Sequence, residues 1–342
     1  MYSESDIDNA VTAGAISAEA AAALRGHVAR TNAAPAVDEE SFRLLTGFND
    51  IFVSIAIALL LVALTQIGTS IAYWLGGALV AAGSWLLAEY FTRRRRMALP
   101  SILLLLSFVG GVAGTLIGLI ETVVPHIDGR PGALAAAGVA LGSAAAAWLH
   151  WRRFMVPITV TTGAAAIVGL GIALVVAAIP DVRTAVWPLL LIGGLGVFAV
   201  AMRWDMSDRE RRTRRSDVAF WLHLAAAPMI AHSTFQMLGV FDRSAMNVGI
   251  AIAVLGLYLA FAFVALAIDR RALLVSGLVY VLYAMYALIR TTGAVELGYA
   301  FSALVIGSVL LTLSAFWHPM RARVIAMLGS TGTRLPPVHA LA

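Results

Sequence analysis

Uncharged apolar runs of about twenty residues recur along most of the chain, and this repetition limits the fold more than any other feature. An α-helix rises 1.5 Å per residue, so about 20 apolar residues span a hydrocarbon core of roughly 30 Å. The chain has 61% hydrophobic and 13% charged residues, whereas soluble domains have about 45–50% and about 25%. Ten segments are long and apolar enough to span the membrane: 48–66, 70–91, 99–124, 132–150, 155–179, 185–202, 217–239, 246–268, 272–290 and 294–317. The sequence therefore predicts an all-α membrane protein, a bundle of about ten transmembrane helices.

The first 45 residues have a different composition, polar and rich in alanine. Two short helices are predicted there, over 3–13 and 18–30, with Gly14 in the turn between them. Ser17 is the expected N-cap of the second helix, because a serine hydroxyl can accept a hydrogen bond from a free backbone N–H in the first turn. We therefore predict a small soluble helical hairpin that precedes the transmembrane bundle.

The end of the chain is polar as well. His318-Pro319 is predicted to stop the last span, because proline lacks a backbone N–H, and a short interfacial helix is predicted over 321–328. The resulting division is a cytoplasmic helical segment at 1–45, a ten-helix transmembrane domain at 46–318 and a partly disordered cytoplasmic tail at 319–342.

Arginines divide unequally between alternate connections of this bundle. One set of connections holds sixteen: Arg93–Arg96, Arg152, Arg153, Arg203, Arg209, Arg211, Arg212, Arg214, Arg215, Arg270, Arg271, Arg321 and Arg323. The other set holds four: Arg130, Arg183, Arg243 and Arg290. Short loops rich in arginine stay in the cytoplasm, and an even number of spans then places both termini there.

Several function classes lack their sequence signals. The chain has no cysteine, which excludes disulfides, thiolate metal sites and cysteine nucleophiles. It has no GxxxxGK[ST], HExxH or GxSxG motif, so we predict no catalytic residue, no metal site and no cofactor. The pI near 10.0 comes from arginines in short loops, so membrane orientation explains it better than nucleic-acid binding.

The third apolar segment carries a carboxylate near its predicted outer end. Gly110, Gly114 and Gly118 place a small residue at every fourth position, which lets another helix approach closely. Glu121 lies seven residues beyond Gly114 and shares its face. Glu121 is therefore either a proton- or cation-binding group or an interfacial residue in contact with solvent.

The seventh segment is the most polar span. His232 and Gln236 are four residues apart and share a face, while His223 points the other way, which argues against a two-histidine metal site in this helix. Pro228 interrupts the backbone hydrogen bonds, as at many membrane binding sites and many simple bends. We predict that His232 and Gln236 face the bundle interior and, with Glu121, form the candidate ligand or ion site. The alternative is that the histidines only pack against neighbouring helices.

Three more residues complete this candidate site. Tyr283 and Arg290 share a face of the ninth segment, and Glu296 at the start of the tenth is placed to pair with Arg290 across the outer turn. The alternative is an interfacial aromatic belt with an arginine reaching to the membrane surface.

Two acids follow the sixth segment. Asp205 and Asp208 are spaced like a metal-binding or catalytic pair, but the surrounding arginines favour a solvated, charge-paired loop. Asp217 is predicted to cap the seventh segment and to interact with its positive end.

Three stretches resemble known sequences. AVTAGAISAEAAAALRGHV at 10–28 resembles the hairpin pattern of a bacterial multi-pass membrane family of unknown function. Residues 213–232 and 269–290 look like stretches of uncharacterised proteobacterial inner-membrane proteins. The resemblance covers about a fifth of the chain and implies a location in the bacterial inner membrane. Ten spans with both ends inside also match the drug/metabolite transporter plan in topology alone.

Two hypotheses for the function follow. The first is a transporter or permease for a small molecule or ion, suggested by ten spans, glycine-rich helices and a polar helix with a proline. The second is a membrane scaffold or sensor that docks a cytoplasmic protein through its N-terminal hairpin.

Arginine clusters recur about every 59 residues. Any repeat of two spans and two loops has this length, and a duplication into two five-span halves is the alternative.

Overall fold

The computed structural model describes residues 4–31, 48–179, 185–209, 213–240, 248–271, 274, 277–278, 280–282, 295–329 and 335. In this part of the chain every regular element is a helix, and no strand occurs. The described residues fall into two compact units. The helices before residue 32 form the first unit, and the helices from Phe48 onward form the second.

The first unit contains α1 (Glu4–Thr12) and α2 (Ala18–Thr31). Gly14 lies in the turn between them with φ of +70°, a left-handed conformation that glycine adopts at little cost. The Ser17 hydroxyl oxygen accepts a hydrogen bond from the backbone N–H of Ala20 at 3.1 Å, so the predicted N-cap is confirmed. An ion pair of 2.6 Å between Arg25 and Asp8 joins the two helices.

The second unit consists of helices that follow the predicted apolar segments. In the described residues these are α3 (Phe48–Ile71), α4 (Leu75–Ala88), α5 (Ala98–Val123), α6 (Gly129–Phe154), α7 (Ile158–Ala178), α8 (Val186–Met206), α9 (Arg214–Met237), α10 (Val248–Ile268), α11 (Val295–Ala315) and α12 (Trp317–Leu328). A π-helical segment, Glu89–Arg94, continues α4.

Six of the described helices are long and apolar enough to cross a membrane: α3, α5, α6, α7, α8 and α9. They support a membrane-embedded protein. The 14 residues of α4 reach only about 21 Å at 1.5 Å per residue, and the described apolar stretch of α10 is Ile252–Ile268. The predicted segment 272–290 lies mostly outside the described residues. The count of ten spans therefore stays a prediction.

Proline marks the first turn of several helices. Four helices carry a proline as their third residue: Pro100 in α5, Pro131 in α6, Pro188 in α8 and Pro319 in α12. The N–H groups of a first helical turn have no acceptor within the helix, so a proline there removes no helical hydrogen bond. The end of α11 at Ala315 agrees with the predicted stop at His318-Pro319.

Helix α9 is the most buried of the six candidate spans. Half of its most apolar stretch is buried inside the protein, against 11–33% of the corresponding stretch in the other five helices. Fully buried α9 residues such as Leu222 and Phe235 join one hydrophobic cluster with residues of α8, α10 and α12. The most polar predicted span is therefore surrounded by other helices, which is where polar groups in a membrane protein can find hydrogen-bond partners.

Helices α4 and α5 pack closely, and glycine makes this possible. A Cβ atom placed on Gly111 would lie 2.6 Å from the backbone nitrogen of Ala81, and one on Gly118 would lie 2.6 Å from the Cα of Trp74. A Cβ on Gly110 would meet nothing within 4 Å. The predicted spacing of Gly110, Gly114 and Gly118 is therefore correct for Gly118 and wrong for Gly110, because the close face runs through Gly111.

Candidate functional site

A buried ion pair joins α8 to the end of α10. Asp205 lies in the last turn of α8 and is 0% exposed, and Arg270 follows α10 by two residues and is 2% exposed. The Arg270 guanidinium donates to both carboxylate oxygens of Asp205, from Nη2 to Oδ1 at 2.6 Å and from Nε to Oδ2 at 3.2 Å. Such a two-point contact fixes the orientation of both groups as well as their distance.

A histidine of α9 adjoins this pair. His223 is 1% exposed, and its Nε2 lies 3.6 Å from Oδ2 of Asp205. The imidazole packs edge to face against Phe198 of α8, with ring centroids 5.2 Å apart. An aspartate of α8, a histidine of α9 and an arginine just after α10 therefore meet in one buried place.

The residue before Arg270 extends the contacts to α12. Oδ1 of Asp269 accepts a hydrogen bond from the indole N–H of Trp317 at 2.8 Å, and Nε of the buried Arg321 lies 3.5 Å from the same oxygen. The guanidinium of Arg271 lies over the Trp317 ring, 4.8 Å from its centroid. We call Asp205, His223, Asp269, Arg270 and Arg321 the buried charge cluster.

Backbone geometry at the end of α10 directs neighbouring residues to different partners. Asp269 has φ of +59°, in the left-handed region, where aspartate is more tolerated than most residues. The N–H of Arg270 then bonds to the carbonyl of Ala265 at 3.0 Å and closes the last turn. Asp269 contacts α12 while Arg270 contacts α8, so one turn of backbone connects three helices.

The prediction that Asp205 belongs to a solvated loop is wrong. The prediction of charge pairing is correct, but its partner Arg270 lies 65 residues away. Local composition suggested the neighbouring arginines instead. Asp208 behaves differently: its Oδ2 accepts from the N–H of Thr213 at 2.8 Å and from the Thr213 hydroxyl at 2.6 Å. Among the described residues, no group of three histidine, aspartate or glutamate side chains could hold a metal ion.

The start of α9 is capped by threonine. The hydroxyl oxygen of Thr213 accepts a hydrogen bond from the N–H of Arg215 at 3.2 Å. Asp217 lies inside the first turn, so the prediction that it is the cap is wrong, although an acid there still interacts favourably with the helix dipole.

His232 makes a second polar contact further along α9. Its Nδ1 lies 2.7 Å from the hydroxyl of Tyr280, and Trp187 of α8 packs against the imidazole with ring centroids 5.0 Å apart. Tyr280 also stacks on Phe235. Gln236 lies one turn beyond His232 and is half-buried. His232 therefore contacts protein groups on two sides.

Replacing His232 by alanine is expected to lower the free energy of unfolding by about 1–2 kcal/mol, the range of interhelical hydrogen bonds in membranes. Tyr280→Phe is the matched variant, because it removes only the hydroxyl that contacts His232. Denaturant unfolding of the purified proteins measures both changes. Wild-type stability in both variants would contradict the prediction, and loss of a ligand response at unchanged stability would assign His232 to binding.

Glu121 has contacts of its own, separate from those of His232. It lies in the last turn of α5, and its Oε2 accepts a long hydrogen bond of 3.4 Å from the N–H of His126. It borders a cavity of about 430 Å³ between α5, α6 and α7, and no residue of α9 lines that cavity. Among the described contacts none links Glu121 to His232, so the shared site that the sequence predicts stays untested.

The remaining predicted site residues lie largely beyond what the structure describes. Tyr283 and Arg290 are outside the described residues. Glu296 is the second residue of α11, and its side chain is outside the description. The predicted pairing of Arg290 with Glu296 therefore stays a prediction.

A second cavity, of about 580 Å³, has a polar lining. It lies between the start of α3 and the π-helical segment, with Asn49, Asp50, Tyr90 and Arg95 among its lining residues. The Nε–H of Arg95 donates to the Tyr90 hydroxyl at 3.1 Å. The two cavities differ in chemistry: this one offers several polar groups, and the one beside Glu121 offers a single carboxylate.

Comparison with known proteins adds no family. No protein-family model, no curated protein and no solved structure matches the chain. The class that the fold defines is that of a membrane-embedded helical protein.

Proposed function

We propose that this chain is a transporter-like protein or permease of the bacterial inner membrane, with about ten spans and both termini in the cytoplasm. The observation that carries the proposal is the buried pair of Asp205 and Arg270 at the end of an apolar helix. Ionisable groups inside membrane helices are costly, face the bundle interior and commonly belong to substrate or ion pathways.

The buried charge cluster is suited to control a conformational change. It links α8, α9, α10 and α12, and its two aspartates and two arginines balance in charge when His223 is neutral. Separating Asp205 from Arg270 leaves both charges without compensation, so opening requires a proton, an ion or a charged substrate group that replaces one partner. The cluster then acts as a gate at the arginine-rich ends of these helices.

The orientation can be tested with reporter fusions. Fusions after residues 126, 182, 243 and 292 are expected to report a periplasmic location, because the arginine-poor connections lie there. Fusions within 93–96 and 203–209 serve as cytoplasmic controls. A cytoplasmic signal at two or more of the four periplasmic sites would overturn the topology.

The transport function can be tested in two steps. The purified protein is screened for thermal stabilisation by a metabolite library, because a ligand present at about 100 times its Kd stabilises the native state by about 2.7 kcal/mol. Each stabilising compound is then tested for uptake into proteoliposomes containing wild-type protein or Asp205→Asn. The proposal requires uptake by wild type that the variant reduces. Binding without any uptake would refute it.

The scaffold or sensor function is the second candidate, and the separate N-terminal unit favours it. Deleting residues 1–40 distinguishes the two candidates. A transporter keeps its membrane insertion and its uptake without this unit, while a scaffold keeps its insertion and loses the cytoplasmic partner. Failure of the shortened chain to insert would show that the unit belongs to the core fold.

A further inference from the structure

The cavity between α5, α6 and α7 has one charged residue in an otherwise apolar wall. Its volume is about 430 Å³, within the range of roughly 300–1,000 Å³ typical of small-molecule sites. Small residues of α6 and α7 create the space, among them Ala136, Ala140, Gly169 and Ala173. Isoleucines of α5 and the side chain of Glu121 complete the wall. Small side chains on α6 and α7 therefore leave the space open, and α5 supplies its one charged group.

Glu121 has no cationic partner among the described residues. Its one hydrogen bond, from the backbone N–H of His126, is 3.4 Å long and leaves most of the carboxylate's capacity unused. Glu121 is half-buried and borders this apolar space, so its charge attracts a positive group that enters the cavity. The same field repels anions and gives nothing to a neutral chain.

We propose that this cavity binds an amphiphilic cation, with an ammonium-type group against Glu121 and an apolar body beside Ala140 and Gly169. Charge complementarity favours this ligand over a lipid acyl chain, which makes no favourable electrostatic contact with the carboxylate. It also favours it over an anionic amphiphile, which the carboxylate repels. The site stands independently of the transport proposal, because it concerns equilibrium binding and lies on helices other than those of the buried charge cluster.

The test is equilibrium binding of octyltrimethylammonium to the full-length protein in phosphatidylcholine nanodiscs, measured by calorimetry against empty nanodiscs. Octanol is the neutral probe and octanesulfonate the anionic probe of equal chain length. Saturable binding of one cation per chain is expected, with both other probes at least about tenfold weaker, which corresponds to about 1.4 kcal/mol. Glu121→Gln is expected to remove this preference and leave octanol binding unchanged.

Two glycine variants test the location. Gly169→Phe fills the cavity and is expected to abolish saturable binding. Gly171→Phe is the matched control, because Gly171 lies on the same helix, has equally open space around its Cα and does not line the cavity, so binding is retained. Ala140→Leu is a second filling variant should Gly169→Phe fail to fold, which the thermal unfolding midpoint reports.

Four outcomes would overturn the proposal. Equal binding of octanol and the cation would mean that the cavity holds any apolar chain, and an unchanged cation preference in Glu121→Gln would mean that Glu121 does not select the cation. Retained binding in a folded Gly169→Phe protein would place the binding elsewhere. Absence of saturable cation binding would leave no site. None of these results bears on uptake by the wild-type protein, so failure here remains distinguishable from failure of the transport proposal.

Discussion

Replacing Asp205 by alanine is expected to lower the free energy of unfolding by about 3–5 kcal/mol, the usual cost of removing one partner from a buried ion pair. Arg270 would remain 2% exposed without the carboxylate that now binds it at two points. His223 would also lose the carboxylate oxygen that lies 3.6 Å from its Nε2. The measurement is reversible unfolding of the purified protein in one detergent, with the wild type as reference.

An exposed ion pair provides the matched control. Arg153 contacts Glu89 at 2.6 Å, the same distance as Arg270 to Asp205, but both side chains are partly open to solvent. Glu89→Ala is therefore expected to cause a much smaller loss, because solvent screens exposed pairs. Equal losses in Asp205→Ala and Glu89→Ala would show that burial does not strengthen the dependence on Asp205.

A double variant separates stability from gating. Replacing Asp205 by leucine and Arg270 by methionine removes both buried charges, and such replacements are often neutral or stabilising. We expect the double variant to recover most of the stability that Asp205→Ala loses. If the cluster is a gate, the same variant stays inactive in the uptake assay despite its stability. A double variant that is stable and still takes up substrate without the two charges would limit the pair to a structural role.

Helix positions could be predicted because they depend on local sequence. The apolar runs at 99–124 and 155–179 correspond to α5 and α7, because a long uncharged run in a membrane protein can satisfy its backbone only as a helix. The segment 70–91 shows the limit of this reasoning. Its run is continuous in composition, but the helix begins only at Leu75 and changes to a π-helix at Glu89. Composition does not record such changes in backbone hydrogen bonding.

The buried charge cluster could not be predicted because its contacts are long-range. Asp205 sits in a sequence full of arginines, and its partner comes from another helix end, 65 residues away. Nothing in the local pattern separates a buried aspartate from a solvated one. The one signal available was position: Asp205 lies three residues after the predicted apolar segment 185–202, so its side chain begins near the membrane boundary rather than in open solvent.

The glycines of α5 show the same division between local and long-range information. The spacing of the glycines correctly predicted that another helix can approach α5 closely. At 3.6 residues per turn, however, residues seven apart share a face about as well as residues four apart, so spacing alone does not identify the contact face. The choice between the faces of Gly110 and Gly111 depends on α4. A Cβ on Gly77 of α4 would meet the carbonyl oxygen of Gly111 at 2.7 Å, so each glycine makes room for the other.

Gly111→Ala is therefore expected to destabilise the protein by about 1–3 kcal/mol, the usual cost of overpacking a tight interior. The new methyl group would lie 2.6 Å from the nitrogen of Ala81 and 2.8 Å from the carbonyl oxygen of Gly77, and these are backbone atoms that can move only if α4 moves. Unfolding under the conditions used for Asp205→Ala provides the measurement, and a second one is cross-linking between α4 and α5, which should decrease as the helices separate.

Gly110→Ala is the matched control because it adds the same methyl group one residue earlier, where nothing lies within 4 Å. We expect no loss of stability, and a small gain is consistent with the better helix propensity of alanine. If both variants lose stability equally, the cost comes from adding a methyl group to this part of α5 and not from the contact with α4. If neither does, α4 and α5 can separate without penalty, and the close packing through Gly77 and Gly111 does not hold this helix pair together.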